Sequence, residues 1–209
     1  MEKRTDEEKV NALTHAAGTL LAVAGAAVII ASSAPHGRRV VFGISVFAAG
    51  MLFMYLCSTF YHWWKPGKGK RLWRVFDHSS IFVMIAASYT PICVGVVGGL
   101  RGWLVFGALW GITLAGSVYK AMYTGRHPRL SLAIYLTMGW SVVFIAVPVF
   151  TRLSAATLSL IVAEGIFYTA GTYFFAHDDR RFFHGIWHLF VLAGTVCHWL
   201  ALFLMLQEG

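Results

Sequence analysis

The chain has 209 residues, of which 58% are hydrophobic and only 12% charged, with a mean hydropathy of +0.67. A soluble domain of this size carries about 25% charged residues, so this composition excludes an ordinary water-facing surface and points to lipid as solvent. The net charge of +8 falls in short clusters between apolar runs rather than in one stripe, which excludes a nucleic-acid groove and suits loops at anionic headgroups.

In chain order, the polar opening MEKRTDEEKVNALTHAAG is too acidic for a cleaved signal or transit peptide, and residues 1–12 read as a tail. Seven apolar runs then follow near 13–32, 41–63, 76–97, 103–122, 131–149, 156–175 and 183–206. Each approaches the roughly 20 residues needed to cross a hydrocarbon core. The separators SAPHGRR, KPGKGKRLWR, GGLRG, YTGRHPR, TRLSA and AHDDRR are short, so residues 1–209 form one all-α integral membrane domain of seven transmembrane helices. Tyr61, Trp63, Trp64, Trp73, Trp103, Tyr119 and Tyr123 mark run ends as headgroup-level anchors. Pro91 and Pro148 sit towards the far ends of their runs, where they kink or terminate a helix.

The 17 Lys and Arg residues set the orientation. Three lie in the N-terminal tail, and the second, fourth and sixth loops hold five, three and two; only four lie on the other side. The positive-inside rule then predicts a cytoplasmic N-terminus and, with seven spans, an outside C-terminus. Cys57, Cys93 and Cys197 lie within apolar runs at no regular spacing and read as small buried hydrophobes.

Ionisable residues inside spans are expensive, so they are the functional candidates. Ser58 and His62 are four apart at the end of the second run; Asp77 and His78 open the third; His184 and His188 are four apart at the start of the seventh. An i, i+4 pair shares one helical face. The charge-derived topology brings all three segments to the cytoplasmic side without using a histidine. Three neutral imidazoles leave one tetrahedral position open on a zinc ion, the catalytic rather than the structural arrangement. On this reading His62, His184 and His188 are the metal ligands. Asp77 serves as a base towards water, and Ser58, one turn before His62, hydrogen-bonds a substrate carbonyl or a metal-bound oxygen. His15 opens the first run on the same side and lies at the periphery. His78, about 100° around the helix from Asp77, stands behind the ligands. His36, His127 and His177 belong to solvated loops. Glu164 stands in the middle of the sixth run; its expected partner is His198, in the outer half of the seventh, with a proton-relay position as the alternative.

The segments SxxxH (Ser58 to His62), FDHSSIFVMIAASYTP (Phe76 to Pro91), HGIWHLF (His184 to Phe190) and NALTHAAG (Asn11 to Gly18) together resemble the bacterial hemolysin III family, the prokaryotic branch of the adiponectin and progestin receptor family. The resemblance covers nearly the whole chain. It implies a multi-pass protein of the bacterial inner membrane, with zinc near the cytoplasmic face on residues matching His62, His184 and His188, Asp77 near the metal-bound water and Ser58 beside the site. That family is also similar to alkaline ceramidases, which implies a zinc-dependent hydrolase of lipid amides or esters, with membrane lipid as substrate or ligand and a role in membrane homeostasis. The alternative is a non-enzymatic sensor of membrane state with a structural zinc. Glu164 departs from the family's uncharged, glycine-rich pattern.

Overall fold

A computed structural model describes residues 5–208, and these are helical with no strand among the described residues. Seven helices are long and apolar enough to cross a membrane: α1 (Asp6–His36), α2 (Arg38–Trp63), α3 (Lys68–Val97), α4 (Gly99–Tyr123), α5 (Pro128–Arg152), α6 (Ala155–Ala176) and α7 (Phe183–Glu208). All seven expected spans are present, each containing its apolar run.

Two helices overrun the bilayer at the same end of the bundle. α1 has 31 residues and α3 has 30, about 45 Å each at 1.5 Å per residue, against a hydrocarbon core of about 30 Å. The polar residues from Thr5 to Ala12, expected as a tail, are therefore an extra helical extension of α1. The stretch KGKRLWR likewise belongs to α3, not to a loop.

The contacts form a ring in which α1 packs on α2, α2 on α3, α3 on α5, α5 on α6, α6 on α7 and α7 on α1, with α4 outside against α3 and α5. α2 and α3 are its inner elements: half or more of each apolar window is buried, against 6% for α6. Small residues allow this close approach. A Cβ at Gly43 would fall 2.6 Å from Pro91 Cα, and one at Gly50 would fall 2.5 Å from Ala87 Cβ, so one face of α2 lies directly on α3. Ile29, Phe47, Met51, Tyr55, Cys93 and Leu202 fill the main core. Phe82, Leu109, Tyr135 and Met138 form a second cluster under α4. The outer faces carry Leu20, Leu100, Leu114, Phe144 and Val147, each more than two-thirds exposed, a surface suited to lipid and not to water.

Both prolines act where expected. Pro91 has no N–H for the Ala87 carbonyl, and beyond it Ile92–Val97 widens into a π turn closed by Gly98 N–H donating to Cys93 O at 2.9 Å. Arg152 Nη1 then donates to the exposed carbonyls of Val96 (2.5 Å) and Val97 (3.2 Å). Pro148 follows a 3-10 stretch, Trp140–Ile145, whose tighter turns precede the missing bond to Phe144 O. At this same end, Glu208 of α7 accepts from Ser154 Oγ (2.6 Å) and Thr157 Oγ1 (3.2 Å), and His36 Nε2 donates to Leu206 O (2.8 Å). His36 is thus tied to α7 and is not a solvated loop residue. His127 is exposed, and His177 Nδ1 donates to Tyr173 O.

Candidate metal centre

The last turn of α2 and the first turns of α7 meet at the end of the bundle where α1 begins. α2 stops at Trp63, shortly before the helix-breaking Pro66 and Gly67, which leaves His62 one residue from the helix end. α7 starts after a turn in which Phe182 holds a φ of +63°. That unfavourable backbone is fixed by Glu7, whose Oε1 accepts from Phe182 N–H at 2.8 Å, and by Asp6, paired with Arg181 at 2.5 Å. The acidic first turn of α1 therefore holds the entry to α7, and with it His184 and His188.

His62, His184 and His188 converge. Each offers a ring nitrogen, and these three atoms lie within 4.8 Å of one another. The ring centroids are 5.1 Å apart for His62 with either partner and 4.7 Å for His184 with His188. His62 and His188 are buried, and His184 is partly exposed. This group of three could hold a metal ion.

The outer contacts fix the ring tautomers. His188 Nδ1 lies 3.1 Å from Asn11 O and 3.0 Å from Thr14 Oγ1. A carbonyl oxygen only accepts, and the Thr14 hydroxyl gives its own proton to Asn11 O at 2.9 Å. Nδ1 of His188 must therefore carry the proton, which leaves the lone pair on Nε2. By the same logic His62 Nδ1 donates to Glu8 Oε2 at 2.9 Å, a carboxylate also held by Lys70 Nζ at 3.1 Å. His184 Nδ1 stands 3.4 Å from Asp178 Oδ2. His188 and His62 thus each donate to a carbonyl or carboxylate behind them, the arrangement that orients histidine ligands and raises their basicity.

Of the remaining candidates, His15 lies against His188, while Ser58, Asp77 and His78 lie on α2 and α3. Ser58 is buried one turn below His62, and its Oγ has no hydrogen-bond partner among the described residues. Asp77 is buried on α3, 9% exposed, and is not a member of the three-histidine group; its backbone carbonyl accepts from Ser80. His78 is half-buried, its ring edge-on to Tyr61 at 6.4 Å. His15 stacks on His188 with centroids 3.6 Å apart and planes 15° apart, and meets Tyr55 edge-on at 5.1 Å. Both its ring nitrogens are buried without a partner among the described residues.

Three supporting residues were missed in the sequence: Glu8, Asn11 and Thr14. A signal was present, because Glu8, Asn11 and His15 recur at three- and four-residue spacing and so form one helical face. The pair expected far from the centre is present: His198 Nδ1 lies 2.7 Å from Glu164 Oε2, joining α7 to α6.

The sequence comparisons place the chain as a whole among known proteins. A family model described as "Haemolysin-III related" matches residues 3–199. The chain is 36% identical over 190 residues to a hemolysin-3 homolog of Bacillus subtilis (strain 168), covering 90% of this chain and 89% of that protein. It is 33% identical over 196 residues to hemolysin-3 of Bacillus cereus, covering 93% and 90%. A human monocyte to macrophage differentiation factor is 27% identical over 213 residues, covering 97% of this chain and 86% of that protein. No solved structure matches. With a family match over nearly its whole length and seven membrane-crossing helices, this chain belongs to the haemolysin-III related family of membrane proteins.

Proposed function

We propose that His62, His184 and His188 hold a zinc ion and that the chain is a membrane-embedded hydrolase of lipid amides or esters. The observation that carries this reading is the donor set. It has three imidazoles rather than four protein ligands, with Nδ1 of His188 and His62 committed to outer acceptors. That chemistry fits zinc and leaves one tetrahedral position for substrate or water. The lysine and arginine distribution supports a cytoplasmic location for this end of the bundle and for the N-terminus, in the bacterial inner membrane that the family resemblance implies.

Zinc, when bound, supplies Lewis acidity that polarises a carbonyl and makes water more acidic. The chain's own groups would do the rest. The Asp77 carboxylate takes the proton of the attacking water and returns it to the leaving amine or alkoxide. Ser58 Oγ, buried without a partner, donates to the substrate carbonyl oxygen. Buried His62 and His188 close the inner wall against bulk water, while the partly exposed His184 stands at the mouth. Substrate lipid enters laterally between helices, and its turnover serves membrane homeostasis.

Purified protein assayed against ceramide and other acyl lipids tests this. Zinc-dependent turnover should vanish in Asp77→Ala while zinc content stays unchanged; absence of turnover on every lipid sinks the hydrolase reading. One observation favours a second reading. The imidazoles also bind α1 through Glu8, Asn11 and Thr14, so zinc would tie α1, α2 and α7 together at one end as a structural lock in a sensor of membrane state. In that case chelation changes conformation and there is no turnover to lose.

A further inference from the structure

A second cluster at the same end of the bundle serves no part of the metal centre. Lys120, three residues before the end of α4, is only 3% exposed, and its ammonium donates to Ser131 Oγ of α5 at 2.5 Å. The Ser131 hydroxyl passes its own proton to His127 O at 3.1 Å. An ammonium has three donors, and Ser131 takes one of them. Beside it, Arg74 of α3 is exposed and lies over the loop that follows α4: a Cβ on Gly125 would fall 2.7 Å from a guanidinium nitrogen. Gly125, at φ +82°, leaves room for that guanidinium.

The nearest carboxylate in the sequence is Asp77, one turn beyond Arg74 on α3, and neither Arg74 nor Lys120 is ion-paired among the described residues. From His78 to Ala163 the sequence contains no Asp or Glu. Burying an ammonium without a counter-charge is costly, and the Arg74 guanidinium adds like charge near it. We propose that Lys120 and Arg74 form a phosphate-binding site at headgroup level. Its ligand is the phosphate of an anionic phospholipid, with Arg74 as the exposed contact and Lys120 the buried charge behind it. A free phosphate ion offers the same chemistry, and the test separates the two.

Full-length protein is stripped of lipid in detergent and titrated with phosphatidylglycerol, phosphatidylcholine or inorganic phosphate. Retained lipid is counted by native mass spectrometry, and phosphate binding is followed by thermal melting. Phosphatidylglycerol should be retained in preference to phosphatidylcholine, with binding roughly tenfold weaker in Lys120→Met and in Arg74→Gln, the loss expected for one charge-assisted hydrogen bond. Stabilisation by inorganic phosphate that competes with phosphatidylglycerol would support the site with the phosphate alone as its determinant; retention of phosphatidylglycerol without that competition would support it as a lipid site. Arg74→Gln, on the exposed rim, decides the matter if Lys120→Met does not fold. Equal retention of the two lipids with no response to phosphate, or wild-type affinity in Arg74→Gln, overturns the proposal.

Discussion

Glu8 Oε2 lies 2.9 Å from His62 Nδ1, joining the first turns of α1 to the last turn of α2. The carboxylate also accepts from Lys70, so it is held in place before any ligand arrives. A carboxylate behind a ligating imidazole raises its basicity and fixes its tautomer, and losing such a partner costs about 10–100-fold in metal affinity. Glu8→Gln should therefore keep the fold but weaken zinc binding by that factor, measured by competition with a chelating indicator. Unchanged affinity would remove Glu8 from the centre.

His15 shares the burial of His62 and His188 but stands outside the three-histidine group. Its ring packs flat on His188, and its nitrogens find no partner among the described residues. His15→Phe keeps the stack and removes two unsatisfied polar atoms, so one zinc per chain and an undiminished melting temperature are expected. His15→Ala opens a cavity against His188 and should cost on the order of 2–4 kcal/mol. Loss of zinc in His15→Phe would make His15 a ligand.

The Glu164–His198 pair joins α6 to α7 within the bilayer, and α6 has little other burial to hold it. Glu164→Gln preserves a hydrogen-bonding group, so zinc content and pH response should match the wild type. Glu164→Ala orphans the buried His198 ring and should destabilise by about 1–3 kcal/mol. A changed pH response in Glu164→Gln would instead identify a proton-relay position.

Zinc bound at this site would compete with protons for the imidazoles. Only neutral histidine ligates, and unperturbed imidazole titrates near pH 6.5. Occupancy should be full at pH 7.5 and fall as the pH drops through about 6 to 5, with the zinc-linked part of the stability lost over the same interval. A melting curve recorded with and without a chelator should differ at pH 7.5 and coincide at pH 5. Curves that coincide at both pH values would contradict the sign of this linkage.

Much of the arrangement was legible in the sequence because lipid imposes a strict rule on the chain. Seven apolar runs had to become seven helices, and ionisable residues such as His62, His184 and Glu164 had to find partners inside them. The three-histidine group followed because the i, i+4 pair on α7 and the histidine ending α2 fall on one side once the loops are counted. The support from α1 was obscured. Residues 5–12 are polar, so hydropathy gives no sign that they continue a helix, and only their three- and four-residue spacing marks the face that meets His62 and His188. His36 was misread for a related reason: its partner is the Leu206 backbone carbonyl, and no side-chain pattern encodes a backbone acceptor 170 residues away.

On the proposed reading, His62, His184 and His188 together bind one zinc ion. Metal analysis of the purified protein, wild type beside His188→Ala, tests it most directly. We predict one zinc per wild-type chain and almost none in His188→Ala, with the variant still helical by circular dichroism. Zinc absent from the folded wild type, or undiminished in the variant, would contradict it.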